Sequence, residues 1–147
     1  MIIATTSVRS DYSDAASTGF RRIASYIFGG NSASMSIEMT APVLTNTPDP
    51  EDIYEIQFIM PSEHSMEDLP QPNSQNVTLK KVNLGKTAVM RFGGWATKDR
   101  ASYYQNKLSD LLAANGYTVH GTFMVAQYNS PWAIPPFRKN EIIVQIK

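Results

Sequence analysis

The sequence predicts an α+β domain in which two helices pack on one curved, largely antiparallel sheet. Three observations lead to this class: short β-branched or alternating apolar segments, two segments with helical apolar spacing, and a strand–helix–strand–strand order that occurs twice. Isolated helices of this length are marginal in water, so each needs a sheet to cover. We therefore expect a single domain over residues 1–147, with pseudo-repeats at about 1–70 and 74–147.

The first repeat begins with a strand and a helix. Ile2–Val8 is β-branched and apolar, which predicts the strand. Ser13 is the expected N-cap of the helix, and Gly29-Gly30 is expected to end it. Gly19 lies inside the helix and costs about 1 kcal/mol relative to Ala there, so we expect close packing to require it. The apolar face of this helix comprises Ala16, Phe20, Ile23, Ala24 and Ile27.

Two predicted strands complete the first repeat, Met35–Leu44 and Ile53–Met60. Alternation separates two faces of the second strand. One face holds Tyr54, Ile56, Phe58 and Met60, and the other holds Ile53, Glu55, Gln57 and Ile59. A loop over 61–76 separates the two repeats.

The second repeat follows the same order. Thr97 is expected to cap its helix and Asn115-Gly116 to end it. The apolar positions of that helix are Ala101, Tyr104, Leu108, Leu111 and Leu112. The predicted strands are Val77–Val82, Lys86–Phe92, Phe123–Tyr128 and Glu141–Ile146, and a proline-rich loop over 129–137 precedes the last one.

The composition excludes several classes of protein. The chain has no cysteines, which excludes disulfides, thiolate metal sites and cysteine nucleophiles and permits a cytoplasmic or other reducing intracellular location. No apolar run reaches the roughly 20 residues of a membrane span. The start of the chain lacks the basic and apolar regions of a signal peptide. We therefore expect a soluble protein.

The net charge of zero hides a division between the halves. Residues 1–73 hold ten acids and three bases, a net charge of −7, and residues 74–147 hold ten bases and three acids, a net charge of +7. The halves could attract each other within one fold, or mediate self-association between copies. Nucleic acid is not an expected partner, because the bases are spread over a whole half.

Five segments, in this order, resemble the SOUL haem-binding protein family. They are Gly19–Arg22 with Tyr26–Asn31, Met39–Pro42, Tyr54–Phe58 with Met60–Glu63, Arg91–Thr97, and Ala126–Trp132 with Arg138–Glu141. Each is short, but together they cover nearly the whole chain.

The resemblance implies two βαββ-like repeats that form a distorted, largely antiparallel β-barrel with two helices packed on it. It implies a haem- or tetrapyrrole-binding protein that acts as a carrier or buffer. The family's apolar surface pocket lies between the first helix and the loop before the last strand, here residues 13–28 and 129–137. The family usually has one more strand before the first of this chain, so we expect one open barrel edge.

The resemblance and the residue chemistry together give the candidate haem-binding residues Phe20, Arg21, Arg22, Ala24, Trp132, Ile134 and Phe137. Apolar side chains suit the macrocycle, and arginine forms two-pronged hydrogen bonds to propionate carboxylates. The alternatives are that the apolar residues belong to the core and that the two arginines are simply solvated.

No axial ligand for haem iron is identified. The methionines and lysine that some family members carry on the first helix are replaced by Phe20, Ala24 and Ser25, and a histidine ligand of one branch has no counterpart. His64 is a candidate metal ligand, although a lone loop histidine such as His64 or His120 is usually solvated. We expect weak or absent axial ligation.

The sequence has no catalytic motif, since GxSxG, Walker A and GxGxxG are all missing, and no enzyme activity is predicted. The alternative function is a small-molecule effector-binding or hydrolytic domain of the same superfamily that uses a cleft glutamate. Glu55 and Glu141, at matching places in the repeats, are its candidates. Both could equally be the outward polar positions of alternating strands.

Overall fold

A computed structural model of the chain describes residues 1–46, 53–128 and 138–147. Its elements, in order, are β1 (Ile2–Arg9), α1 (Tyr12–Ile27), β2 (Val43–Asn46), β3 (Ile53–Ile59), β4 (Thr78–Lys81), β5 (Thr87–Gly93), α2 (Lys98–Ala114), β6 (Val119–Gln127) and β7 (Lys139–Ile146). Neither helix of this described part is long and apolar enough to cross a membrane.

The strands join one antiparallel sheet in the order β4-β1-β3-β2-β6-β7-β5. The two halves have the same arrangement, β1-β3-β2 and β5-β7-β6, and they meet where β2 pairs with β6. In each half the helix follows the outer of these three strands. The predicted α+β class, with two helices and a largely antiparallel sheet, is confirmed.

Both helices cover the same face of the sheet. The register places Ile56 opposite Thr45, Thr45 opposite Val125, and Val125 opposite Ile142. Because directly paired residues point to the same side of a sheet, these four side chains share one face. Ile56 packs in the cluster that contains the buried residues of α1, and Val125 and Ile142 pack with those of α2.

The implied closure of the sheet into a barrel is only partly supported. Among the described residues, β4 and β5 lie at opposite ends of the sheet and do not pair with each other. The connection between them reaches the end of β7, where Gln145 Nε2 donates to the Leu84 carbonyl oxygen at 2.7 Å. Leu84 also packs against the apolar cluster on the helix-free face, Leu44, Met124, Ala126 and Ile143. Leu84 of this connection and Ile59 of β3 thus both pack against that cluster.

Gly19 is where α1 approaches the sheet most closely. A Cβ atom on Gly19 would lie 2.6 Å from Cγ1 of Ile56, far inside van der Waals contact. The missing side chain therefore lets the helix backbone rest on β3. The expectation that close packing requires this glycine is confirmed.

The two helix starts differ in how well the sequence predicts them. Thr97 caps α2 as expected, with its hydroxyl accepting from the Arg100 N–H at 3.2 Å. The prediction of Ser13 as the cap of α1 is wrong, because Asp11 accepts from the Asp14 N–H at 2.9 Å and the helix begins at Tyr12. A carboxylate both caps the free N–H groups and favours the positive helix end.

The predicted strand Met35–Leu44 is also wrong over most of its length, because β2 begins at Val43. The preceding backbone bonds to the end of α1 instead. Asn31 Nδ2 donates to the carbonyl oxygens of Tyr26 and Met35, at 2.9 and 2.8 Å, and the Ile37 N–H donates to the Ile27 carbonyl oxygen at 2.6 Å. The other boundaries differ by a few residues, the largest shift being the start of β6 at Val119 instead of Phe123.

Candidate functional site

An open cavity of about 840 Å³ lies on the helix-covered face, between α1 and the start of α2. This volume falls in the range of roughly 300–1,000 Å³ that small-molecule sites occupy. One side of the cavity is a stripe of α1, in which Tyr12, Ala16 and Phe20 follow one another at intervals of four residues. That spacing places all three on one face of the helix.

The floor of the cavity is the centre of the sheet. Val43 and Thr45 of β2 and Ile56 of β3 line it, and Thr45 and Ile56 are almost fully buried. Phe20 stands beside this floor, with its ring centroid 5.5 Å from that of Phe58. The sheet and α1 thus give the cavity an apolar and aromatic interior.

The opposite wall is the N-terminus of α2 and the segment before it. Trp95, Thr97 and Lys98 line this wall, together with Arg138 at the start of the last described segment. The Arg138 guanidinium lies 4.6 Å from the centroid of the Trp95 ring, and the Arg138 residue is only 6% exposed. A guanidinium over the face of an indole is attracted to the ring, which favours this arrangement of the two groups.

The charge around the cavity favours an anionic ligand. Three cationic side chains line it, Arg21, Lys98 and Arg138. Among the described lining residues, Asp11 is the single acid, and its carboxylate is engaged in capping α1. Both helices also begin at residues that line the cavity, so both positive helix ends contribute to it.

Tyr12 lines the cavity, but its hydroxyl oxygen is itself buried from solvent. The residue is 8% exposed, and its hydroxyl has no hydrogen-bond partner among the described residues. Burial, with a smaller contribution from Tyr54, raises the pKa of the Tyr12 phenol to about 12. The hydroxyl is therefore neutral at physiological pH and can donate a hydrogen bond.

The residues of α1 that were predicted to bind haem differ in whether they line the cavity. Phe20 and Arg21 line the cavity, whereas Arg22 and Ala24 do not. Arg22 Nη1 instead donates to Thr6 Oγ1 at 3.3 Å and to the Ser7 carbonyl oxygen at 3.1 Å, which ties α1 to β1. The three predicted residues of the proline-rich loop, Trp132, Ile134 and Phe137, lie outside the described residues.

Sequence reasoning did not assign most of the residues that line the cavity to the site, among them Tyr12, Trp95, Lys98 and Arg138. Tyr12 had a usable signal, because it extends the stripe of Ala16 and Phe20 by one turn. Trp95 and Arg138 lie in segments that resemble the family, but nothing local indicated that they or Lys98 approach α1, because this depends on how the two halves of the sheet join.

The two candidate glutamates lie on the other face of the sheet. Glu55 Oε1 accepts from Thr5 Oγ1 at 2.7 Å and lies 3.8 Å from Lys80 Nζ. Glu141 accepts from the Tyr128 hydroxyl, and its Oε2 lies 3.3 Å from Arg91 Nε. Each carboxylate therefore has a hydroxyl donor and a cation of its own.

Tyr128 is the one of these partners whose pKa is clearly shifted. Burial raises the pKa of the Tyr128 phenol to about 12, and the hydrogen bond to Glu141 adds to the rise. The phenol therefore remains a donor to this carboxylate over the whole physiological range.

The histidines do not approach the cavity wall. His64 Nε2 lies 3.8 Å from Glu63 Oε1 in the loop after β3, and His120 is exposed on β6. Across the described part of the chain, no three His, Asp or Glu side chains come together as a metal site would require. The prediction of His64 as a metal ligand gains no geometric support.

Comparison with known sequences gives a consistent result. A family model described as SOUL heme-binding protein matches residues 1–145. Heme-binding protein 2 of Homo sapiens is 32% identical over 133 residues, and Heme-binding protein 2 of Mus musculus is 29% identical over 138 residues. These alignments cover 86% and 90% of this chain, which spans 64% and 66%, less than two thirds, of those two proteins.

Solved structures of distant sequence share the fold. The EcmrR C-terminal domain has a TM-score of 0.75 at 14% identity, covering 99% of this chain and 90% of that domain. A hydrolase from Listeria innocua has a TM-score of 0.67 at 11% identity, covering 100% of this chain and 87% of its own. At such identities the likeness concerns the fold alone.

Proposed function

Because the chain belongs to the SOUL heme-binding protein family, we propose that it binds haem or a related tetrapyrrole in the cavity between α1 and the start of α2. It carries or buffers this ligand without changing it chemically. The observation that carries the proposal is a cavity with an apolar interior and three cations, which matches a flat apolar macrocycle with carboxylates at its edge.

The residues present fit such a ligand. Phe20, Val43 and Ala16 offer apolar surface to the macrocycle. Arginine pairs with carboxylates through two parallel hydrogen bonds, and lysine adds a point charge, so Arg21, Arg138 and Lys98 suit the propionates. The helix N-termini add to this preference for negative charge.

Axial ligation of iron contributes little in this proposal. The described residues that line the cavity include no histidine or methionine, and the raised pKa of Tyr12 disfavours a phenolate ligand. Binding then depends on apolar contact and on carboxylate pairing. We expect a dissociation constant of roughly micromolar order, because buried area without a strong ligand does not ensure tight binding.

Titration of the purified protein with hemin, followed by the visible spectrum, tests the proposal. We expect a saturable one-to-one Soret shift, and roughly tenfold weaker binding in Phe20→Ala and Arg21→Ala. Arg22→Ala is the matched control, because this neighbouring arginine bonds to β1 and does not line the cavity. The absence of saturable binding, or a low-spin spectrum typical of two strong axial ligands, would contradict the proposal.

The same titration tests the part of the site that was predicted from sequence alone. Trp132→Ala should weaken hemin binding if the proline-rich loop belongs to the site, as the family resemblance implies. Unchanged binding in this variant would restrict the site to the cavity that the described residues form.

The second candidate function is effector binding or hydrolysis at Glu55 or Glu141. It is favoured by the partial burial of both carboxylates, whose side chains are 27% and 14% exposed on the helix-free face. Glu55→Gln and Glu141→Gln should then abolish ligand binding or turnover and leave hemin binding intact. If both variants keep all ligand binding, this function is rejected.

The divided charge of the chain supports a further possibility for its assembly. We propose that the half with net charge −7 of one copy attracts the half with net charge +7 of another. Sedimentation at low and high salt is the test, since screening should dissociate such an assembly. A sedimentation coefficient that does not change with salt would reject it.

A further inference from the structure

The described part of the chain leaves nine large apolar or aromatic residues exposed, and a single one of them lines the cavity. This residue is Trp95, in the segment before α2, and it is 49% exposed. Most of the surface of a tryptophan belongs to its ring, so a residue that is half exposed has uncovered ring surface. Trp95 therefore offers aromatic surface at the cavity in the ligand-free protein.

Three side chains hold the Trp95 segment in place. Asn140, which is 2% exposed, donates from Nδ2 to the Gly94 carbonyl oxygen at 2.8 Å. Arg100 Nη1 donates to the Trp95 carbonyl oxygen at 3.4 Å. The Arg138 guanidinium lies over the Trp95 ring, 4.6 Å from its centroid. The backbone around Trp95 and the ring itself are thus held while much of the ring stays accessible.

An accessible indole that is held in this way suits a flat aromatic ligand. Aromatic side chains stack on flat π-systems, and this stacking contributes to affinity beyond the apolar area that it buries. Because Arg138 contacts the same ring and lines the same cavity, a ligand that stacks on Trp95 also lies near a cation. A flat macrocycle with carboxylates at its edge can use both groups.

We propose that the Trp95 ring stacks on the flat face of the ligand and makes the site selective for closed, planar tetrapyrroles over open-chain ones. This inference rests on the proposed function and names the ligand class within it. Biliverdin is an open-chain tetrapyrrole that carries the same two propionates as haem but is twisted. Apolar contact and carboxylate pairing alone do not distinguish the two ligands, whereas stacking on a flat face does.

The first test compares hemin and biliverdin across variants of Trp95. Trp95→Ala and Trp95→Leu should each raise the dissociation constant for hemin about tenfold, whereas Trp95→Phe, which keeps a flat ring, should raise it less than about threefold. All three variants should bind biliverdin almost as well as the unchanged protein does. Tyr103→Ala is the matched control, because Tyr103 is 55% exposed on α2 and is not among the described lining residues. It should bind hemin with unchanged affinity.

The biliverdin titration separates stacking from an indirect effect through Arg138. If Trp95→Ala weakened binding only because Arg138 lost its ring contact, both ligands would lose affinity equally, since both carry propionates. An equal loss for hemin and biliverdin would therefore contradict the inference. So would a Trp95→Leu variant that binds hemin as tightly as Trp95→Phe, because apolar area without a flat ring would then suffice.

A measurement on the unchanged protein locates the ring without relying on an affinity. The chain contains two tryptophans, and Trp95→Phe identifies which indole N–H signal in the NMR spectrum belongs to Trp95. On saturation with protoporphyrin IX, which is diamagnetic, this signal should move upfield, because the ring current of the macrocycle shields protons above its face. A Trp95 signal that stays in place while the ligand is bound would overturn the inference.

The outcomes separate this inference from the proposed function. If the unchanged protein binds neither hemin nor protoporphyrin IX, the proposed function fails and the inference fails with it. If the unchanged protein binds both and Trp95→Ala binds hemin equally well, only the inference is wrong. Should Trp95→Ala fail to fold, the comparison of Trp95→Phe with Trp95→Leu and the shift of the Trp95 signal decide between the same outcomes.

Discussion

The two helices occupy equivalent places in the halves of the sheet but contribute differently to the cavity. α1 presents both its N-terminus and a side, the stripe of Tyr12, Ala16 and Phe20. Among the described residues, α2 presents only its N-terminus, with residues 95–97 before it. The two helices also differ in how they pack on the sheet. Gly19 lets α1 rest directly on Ile56, and α2 packs on its strands through the larger side chains Leu108 and Leu112.

This comparison shows how one repeated arrangement can produce an asymmetric site. A helix side supplies apolar area, and a helix end supplies free N–H groups and positive potential. α1 therefore supplies both kinds of surface to the cavity, whereas the described residues of α2 add only the second kind. Changes along the side of α1 should mainly affect apolar contact, and changes at either helix end should mainly affect the positive potential.

The largest expected effect comes from the contact between α1 and β3. Ile56→Ala should lower the free energy of unfolding by about 2–5 kcal/mol, because it leaves a cavity in the core. Gly19→Ala should cost up to about 2 kcal/mol, the overpacking penalty less the helix-propensity gain. Urea denaturation measures both values.

The double variant tests whether these two effects share one cause. With Ile56→Ala in place, the new methyl group has room, so Gly19→Ala should become neutral or stabilising by up to about 1 kcal/mol. Ser102→Ala on the exposed face of α2 is the control and should change stability by less than about 0.5 kcal/mol. Additive losses in the double variant would show that Gly19 is not required by this contact.

Removal of the N-cap of α2 should disturb the cavity wall that the N-terminus of this helix forms. Thr97→Ala should lower the free energy of unfolding by about 1 kcal/mol, since the Arg100 N–H loses its acceptor. It should also weaken hemin binding, because Lys98 lies in the first turn. Thr97→Ser keeps the capping oxygen and should restore both properties. If Thr97→Ser also lowers stability and hemin affinity, the threonine methyl group and not the capping oxygen is responsible.

Alkaline pH should lower the free energy of unfolding through the buried phenol of Tyr12. Changes of pH near 7 should have no effect through this group. The pKa of Tyr12 is about 12 in the folded protein, against an ordinary value of 10.0 in the unfolded chain. The unfolded chain then releases this proton first, so stability should fall as pH rises from about 10 to about 12. Urea midpoints across this range should fall less steeply for Tyr12→Phe. Equal slopes would show that Tyr12 titrates at its ordinary pH.

The smallest expected effect concerns the single acid among the described lining residues. Asp11→Asn keeps a capping oxygen for α1 and removes the charge, so hemin should bind about two- to threefold more tightly at low salt. Asp14→Asn, one turn along α1 and outside the cavity lining, is the matched control and should change hemin affinity less. If both variants show the same affinity change, the effect is a general one of net charge.

Much of the fold could be predicted from local patterns. The alternation of Tyr54, Ile56 and Phe58, the cap at Thr97 and the packing role of Gly19 all follow from rules that act over a few residues. The predictions failed where groups from other parts of the chain form hydrogen bonds with the backbone of the segment concerned. Residues 35–42 look like a strand, but Asn31 and the end of α1 take their hydrogen bonds.

For the candidate site, the sequence alone determined the family and the apolar and basic residues of α1, because helical spacing places Phe20 and Arg21 on a defined part of the helix surface. Only the tertiary structure decided that Arg21 lines the cavity while Arg22 bonds to β1. It also brought Trp95, Lys98 and Arg138 opposite α1, since β2 pairs with β6 although the paired residues, such as Thr45 and Val125, lie far apart in the chain. A local pattern carries no information about such a pairing, which depends on the registry of two strands from different halves.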